Sequence, residues 1–128
     1  MVRLDFPGGF PNDEKDKRMA SGRDQTENTA FNYVKTLANF RKTNTALQTG
    51  KMMQWLPSDG LYVYFRYDKG STVMIVLNTS NKTKSVLLSN YGERTNEFKG
   101  FKDVVTGVIG ANQIDLAPME SRVVLLTK

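Results

Sequence analysis

The sequence predicts a mainly β protein: an antiparallel Greek-key β-sandwich, preceded by an irregular loop and one amphipathic α-helix. Three features carry this expectation. Residues 26–42 place apolar side chains at helical spacing. Residues 51–128 change to period two, with turn signals roughly every ten residues. Residues 1–25 show no sustained apolar period.

The opening segment contains Phe6-Pro7-Gly8-Gly9-Phe10-Pro11, then a charged run, then Ala20-Ser21-Gly22-Arg23. Pro and Gly interrupt both helix and strand ladders there. So long a stretch without regular structure is unusual at the start of a self-sufficient domain.

The helix places Ala30, Phe31, Tyr33, Val34, Leu37, Ala38 and Phe40 over about half of its wheel. Asp24 with Glu27 three residues later marks its start. Arg41 and Lys42 suit the negative end of the helix dipole. Thr43-Asn44-Thr45 ends the helix, and Gly50 closes a short turn after Ala46 and Leu47. Such a wide apolar face needs a partner surface, of which the sandwich offers only a part.

Strands are expected at Lys51–Leu56, Leu61–Asp68, Thr72–Asn78, Lys84–Leu88, Lys102–Thr106, Gln113–Leu116 and Arg122–Leu126. Leu61, Val63, Phe65 and Tyr67 alternate with Tyr62, Tyr64, Arg66 and Asp68, the pattern of a half-buried strand. Val73-Met74-Ile75-Val76-Leu77 is apolar on both faces, as a central strand requires. Ser58-Asp59-Gly60, Asp68-Lys69-Gly70, Ser80-Asn81-Lys82, Asn90-Tyr91-Gly92, Thr106-Gly107 and Gly110-Ala111-Asn112 separate the strands. The organisation is therefore an irregular segment 1–25, a helix and turn 26–50, and a sandwich 51–128.

Composition narrows the chemistry. The chain has 128 residues, which is one domain or one domain with an appendage, and too few for a (β/α)₈ barrel. With no Cys, disulfides and thiolate chemistry are excluded; with no His, imidazole relays and the commonest metal ligand are excluded. Neither a phosphate-loop motif nor a spaced acidic calcium loop occurs, and no cofactor is expected.

The net charge is +5. Residues 1–60 hold nine basic and seven acidic groups, and residues 61–128 hold nine and six. So even a spread marks a solvated surface and argues against a nucleic-acid partner. No apolar run is long enough for a membrane span, and Met1-Val2-Arg3-Leu4-Asp5 does not read as a signal peptide. Sequons begin at Asn78 and Asn81, both in a predicted turn.

Asp5-Phe6-Pro7-Gly8-Gly9-Phe10, the helix Ala30–Lys42, the tail Thr45-Ala46-Leu47-Gln48-Thr49-Gly50 and the strand pair Leu61–Asp68 and Val73–Asn78 carry a resemblance. Over essentially its whole length the chain resembles the C-terminal portion of an α-amylase-family enzyme of glycoside hydrolase family 13. The similarity is greatest to neopullulanase or cyclomaltodextrinase-like members.

The resemblance implies an anatomy: a (β/α)₈ barrel followed by an eight-stranded Greek-key sandwich, domain C. Residues 1–25 match the loop after the last barrel strand, 26–42 the last barrel helix, and 51–128 domain C. The implied partner is the catalytic barrel. Enzymes of this family are often periplasmic or extracellular. Their retaining chemistry needs two carboxyl groups on barrel strands and a nearby His-Asp pair. No segment here matches those motifs, so no catalytic residue is carried over. Asp13-Glu14 reads as a solvated loop pair, since adjacent loop carboxylates rarely converge on one bond.

Sugar-binding candidates remain among the aromatics, whose faces accept sugar C–H groups. Trp55, Tyr62 and Tyr64 offer a platform beside the Ser58–Gly60 turn, although cross-strand packing uses the same residues. Phe6 and Phe10 flank the Pro-Gly-Gly turn, which the resemblance places near the barrel mouth.

Three readings follow. The chain is a non-catalytic C-terminal portion that stabilises an α-glucan hydrolase, an α-glucan-binding module, or a basic nucleic-acid-binding β domain; the even charge disfavours the last. With no barrel, Phe31, Val34, Leu37 and Phe40 are expected to re-dock on the sandwich or pair with a second copy.

Overall fold

A computed structural model describes residues 5–128. The first part of the predicted segment 1–25, and most of the Met1–Asp5 reading, lie outside the described residues. Two units are distinguished, residues 1–36 and 37–128, joined along one helix.

In the first unit, short turns and a 3₁₀ turn at Ala20–Gly22 precede the helix α1 (Gln25–Thr43). The start signal read from sequence is a reciprocal capping box. The Glu27 amide donates to Asp24 Oδ1 at 2.8 Å, and the Asp24 amide donates to Glu27 Oε2 at 2.9 Å. The irregular segment has its own scaffold. Asp13 Oδ2 accepts from the amides of Gly8, Gly9 and Phe10 at 2.7, 2.9 and 3.1 Å. Arg23 Nη1 donates to the carbonyls of Lys17 and Arg18 at 2.8 and 3.0 Å. Its guanidinium carbon also stands 3.9 Å from the Phe31 ring centre.

The second unit begins with the last turns of α1 and a one-turn helix α2 (Thr45–Gln48). Eight strands follow among the described residues: β1 (Lys51–Gln54), β2 (Leu61–Tyr67), β3 (Thr72–Asn78), β4 (Lys84–Leu87), β5 (Gly100–Asp103), β6 (Ile109–Gly110), β7 (Gln113–Leu116) and β8 (Ser121–Thr127). All pairings are antiparallel. One sheet has the order β1-β2-β3-β8-β5-β6 and the other pairs β4 with β7. A 3₁₀ turn at Leu88–Tyr91 and a one-turn helix α3 (Gly92–Thr95) link β4 to β5. This is the mainly β sandwich that the sequence predicts.

Alternation along the strands builds the core. Val63 and Phe65 on β2, Met74 and Val76 on β3, Phe101 on β5, and Val124 and Leu126 on β8 point to one side of the larger sheet. They meet Val86, Ile114 and Leu116 of the smaller sheet. Ser58–Leu61 is the hairpin turn into β2: Asp59 and Gly60 both have positive φ, 49° and 74°, the type I′ geometry that suits strand twist. A Cβ on Gly60 would also stand 2.8 Å from that of Ser80.

Two predicted details shift. β5 starts two residues earlier than expected and ends at Asp103. There Asp103 Oδ1 turns the chain by accepting from the amides of Val105 and Thr106 at 2.9 and 2.7 Å. The predicted turn at Asn90-Tyr91-Gly92 is instead the junction of the 3₁₀ turn and α3.

Asn78 closes the far end of β3. Its Nδ2 donates to the carbonyls of Lys82 and Ala117 at 2.7 and 2.8 Å, and its Oδ1 accepts from the Ser80 amide and hydroxyl at 3.0 and 2.7 Å. The residue is 3% exposed, so this sequon is sealed, while Asn81 lies on the surface. Removing the side chain strands several buried groups together, and each costs about 1–3 kcal/mol unpaired. Asn78→Ala is therefore expected to lose about 2–4 kcal/mol in urea unfolding, while Asn81→Ala stays within about 0.5 kcal/mol of the parent chain. Equal losses would contradict this role.

Candidate functional site

The aromatic candidates fall on different surfaces. Tyr62 and Tyr64 sit on the side of β2 opposite Val63 and Phe65. Their rings are 5.4 Å apart and inclined by 31°, and the Tyr62 hydroxyl donates to Gln54 Oε1 on β1. Tyr64 pairs in register with Ile75, and Ile75 with Val123. Burial pushes the Tyr64 hydroxyl above its ordinary range, with the neighbouring Tyr62 adding to the effect.

Trp55 lies on the core side. Its amide bonds the Val63 carbonyl at 3.1 Å. Its ring meets Phe65 and Tyr91 edge-on at 5.3 and 5.1 Å. The three-residue platform expected from sequence is therefore not assembled: one sheet separates Trp55 from Tyr62 and Tyr64. The signal needed to see this was the β1–β2 register, since a one-residue slip exchanges the faces.

Phe6 and Phe10 belong to the first unit, at 65% and 64% exposure. The Asp13 carboxylate holds the turn between them. Asp13 is held below the ordinary carboxylate range by the amides of Gly8, Phe10 and Gly9. Asp13 and Glu14 are both exposed, as expected of a solvated loop pair, and Asp13 in addition holds the turn. Two consecutive glycines with an acid a few residues on was the available sign.

The outer face of the larger sheet is apolar as well. Val73 and Ile75 of β3 are buried there, and an open groove of about 580 Å³ runs between this face and the end of α1. Leu37, Phe40, Tyr62, Tyr64 and Ile75 line it together with Arg41 and Arg66. Leu37 and Phe40 are half-buried, whereas Phe31 and Val34 are 45% and 64% exposed. No residue of α1 is buried.

The carboxylates displaced from their ordinary values are Asp13, Asp16, Glu27, Asp59, Asp68, Asp103 and Asp115, and each is displaced downward. Among the described residues no cluster of acids could hold a metal ion.

With this geometry, the sequence match is informative. The chain belongs to the family described as the cyclo-malto-dextrinase C-terminal domain, which it matches over residues 52–125. It thus carries a β-sandwich C-terminal domain of the α-amylase family of glycoside hydrolases. A cyclomaltodextrin glucanotransferase from Thermoanaerobacterium thermosulfurigenes is 29% identical over 93 residues, 72% of this chain and 13% of that protein. One from Paenibacillus macerans is 38% identical over 72 residues, 56% of this chain and 10% of that protein. The chain therefore spans only a small part of these relatives.

Two solved structures share the fold. An Anoxybacillus α-amylase matches with a TM-score of 0.69 at 21% identity, covering 94% of this chain and 26% of that one. AmyP E221Q in complex with maltotriose matches with a TM-score of 0.70 at 18% identity, covering 80% and 22%.

The buried Asp103 gives this domain a pH signature. Burial pushes its carboxyl up, but bonds from Thr106, Arg122 and Val105 outweigh burial and hold it below the ordinary range. Arg122 Nη1 reaches Asp103 Oδ2 at 3.2 Å. A carboxyl with a lowered folded-state pKa stabilises fully above its unfolded value and stops doing so as pH falls through the folded value. Stability is expected to be flat near neutrality and to fall below about pH 4. Asp103→Asn should be less stable at pH 7 by about 2 kcal/mol and should fall less steeply in acid. Parallel acid profiles in urea titrations would contradict the assignment.

Proposed function

We propose that this chain is the non-catalytic C-terminal portion of an α-glucan-hydrolysing enzyme, neopullulanase or cyclomaltodextrinase-like, and that its sandwich stabilises a catalytic barrel. The observation that carries the reading is the second apolar face. A sandwich needs one apolar side per sheet, yet the larger sheet here has two. The outer one continues through Tyr62, Tyr64, Ile75 and Val123 to Leu37 and Phe40. Farther along the same helix, Phe31 and Val34 are open. An apolar surface of this kind marks a protein interface. The barrel is the partner that the family anatomy supplies. On this reading residues 1–25 are the barrel loop and 26–50 the last barrel helix, and in the isolated chain the open helix face pairs copies together.

The purified chain is accordingly expected to release no reducing sugar from pullulan or maltohexaose, and to self-associate as its concentration rises. Phe31→Glu with Val34→Glu should abolish that association in sedimentation without lowering the sandwich's unfolding midpoint. Hydrolysis proportional to chain concentration would overturn the non-catalytic reading. A strictly monomeric parent chain would overturn the interface reading.

A further inference from the structure

Arg94 on α3 is the one described arginine without an acceptor. Arg18 and Arg122 donate to carboxylates, and Arg23, Arg41 and Arg66 donate to backbone carbonyls. No hydrogen bond or ion pair ties the Arg94 guanidinium to another group among the described residues.

The side chain is nevertheless held in place. Its guanidinium carbon stands 4.2 Å from the Tyr67 ring centre. Tyr67 packs against the core cluster, so the stack rests on a fixed base. α3 itself is tied down by Thr95, whose buried hydroxyl donates to the Leu88 carbonyl at 2.7 Å. Nε of Arg94 is sealed from solvent without a partner, while the terminal Nη donors stay open at the wall of a polar cleft of about 470 Å³. A guanidinium does not lose its proton in a protein. A cation partly withdrawn from water with its donors unmet is a cost that folds seldom accept without a use.

The cleft lies between the β2–β3 turn, α3 and the residue after β8, wholly in the second unit. Lys69 and Lys128 also line it, both exposed and without an acid partner among the described residues. Asp68 is engaged within the chain, since Thr45, Gly70 and Ser71 donate to its oxygens. Glu93 and Glu97 remain, and both are exposed. Exposed carboxylates are screened by water and salt, whereas the half-buried Arg94 is screened less. Attraction of an anion by Arg94 and the two lysines therefore outweighs repulsion by the two glutamates.

Guanidinium donors lie side by side and match the paired oxygens of a carboxylate or phosphate. We propose that this cleft binds the carboxylate or phosphate group of a small anionic molecule, with Arg94 as its anchor and Lys69 and Lys128 as charges at the rim. The volume falls within the range of small-molecule clefts. The proposal does not rest on docking of the outer sheet face, because Tyr67 lies on the side of β2 opposite Tyr62 and Tyr64. Such an open, hydrated site is expected to bind at about millimolar Kd.

The test is an amide NMR titration of the full chain with sodium phosphate and, separately, sodium succinate, with sodium chloride at matched ionic strength as the control. Saturable shifts at residues 67–72 and 92–98 are expected with at least one of the two oxyanions and not with chloride. Arg94→Gln should weaken binding about tenfold or more. Lys69→Gln, at an exposed turn position, should weaken it about twofold. Glu97→Gln should tighten it about twofold, a gain that a merely structural role would not produce. Spectra unperturbed away from the cleft establish that each variant folds, and the two exposed variants carry the test if Arg94→Gln does not. Saturation by phosphate alone or by succinate alone would uphold the site and identify the group it takes. Shifts that do not saturate with either oxyanion, an equal response to chloride, or affinity unchanged in both Lys69→Gln and Glu97→Gln would each overturn the proposal.

Discussion

Burial of β3 on both faces is the constraint on which the rest of this structure depends. Thr72 through Val76 are all buried, and Asn78 seals the strand's end. A strand of this kind needs pairing on both edges and cover on both sides. β2 and β8 supply the edges, with Tyr64 opposite Ile75 and Val124 opposite Met74. The smaller sheet covers Met74 and Val76. Cover for Val73 and Ile75 must come from elsewhere, and α2 provides part of it.

The seat of α2 shows how little chain is available for that task. Asn44 caps the helix by accepting from the Leu47 amide at 3.2 Å and receives the Ser71 hydroxyl at 3.3 Å. The Thr45 hydroxyl donates to Asp68, whose other oxygen takes the amides of Gly70 and Ser71. The β2–β3 turn and the helix entry are thereby locked together, and Ala46 is fully buried. Beyond this lock, the outer face opens into the groove. A sheet apolar on both sides, with one side only partly covered, is the physical content of the claim that the domain works against a partner.

Legibility in the sequence followed the length and contrast of each signal. The apolar run Val73–Leu77 and the alternation at Leu61–Tyr67 are strong, and both strands appear where expected. The Asp24-Glu27 pair marked the α1 start because a capping box is a local interaction. α2, α3 and the two-residue β6 were missed, since one turn or one ladder step leaves no period to detect. The site was less legible. Trp55, Tyr62 and Tyr64 are close in sequence, but their faces are set by register, which is tertiary information. A cleft lined by Asp68, Arg94 and Lys128 brings together residues that no spacing rule connects.

The central claim is that the sandwich holds itself together while the helix is built to be covered by something else. Native-state amide hydrogen exchange on the parent chain, at concentrations where it is monomeric, tests this most directly. Exchange reports the local opening free energy of each amide. The account predicts that amides of β3 and β8 exchange only through global unfolding. It predicts that amides of α1 over residues 29–36 exchange through a far smaller local opening. Equal protection of α1 and β3 would contradict it, because the helix would then have its full set of partners within this chain.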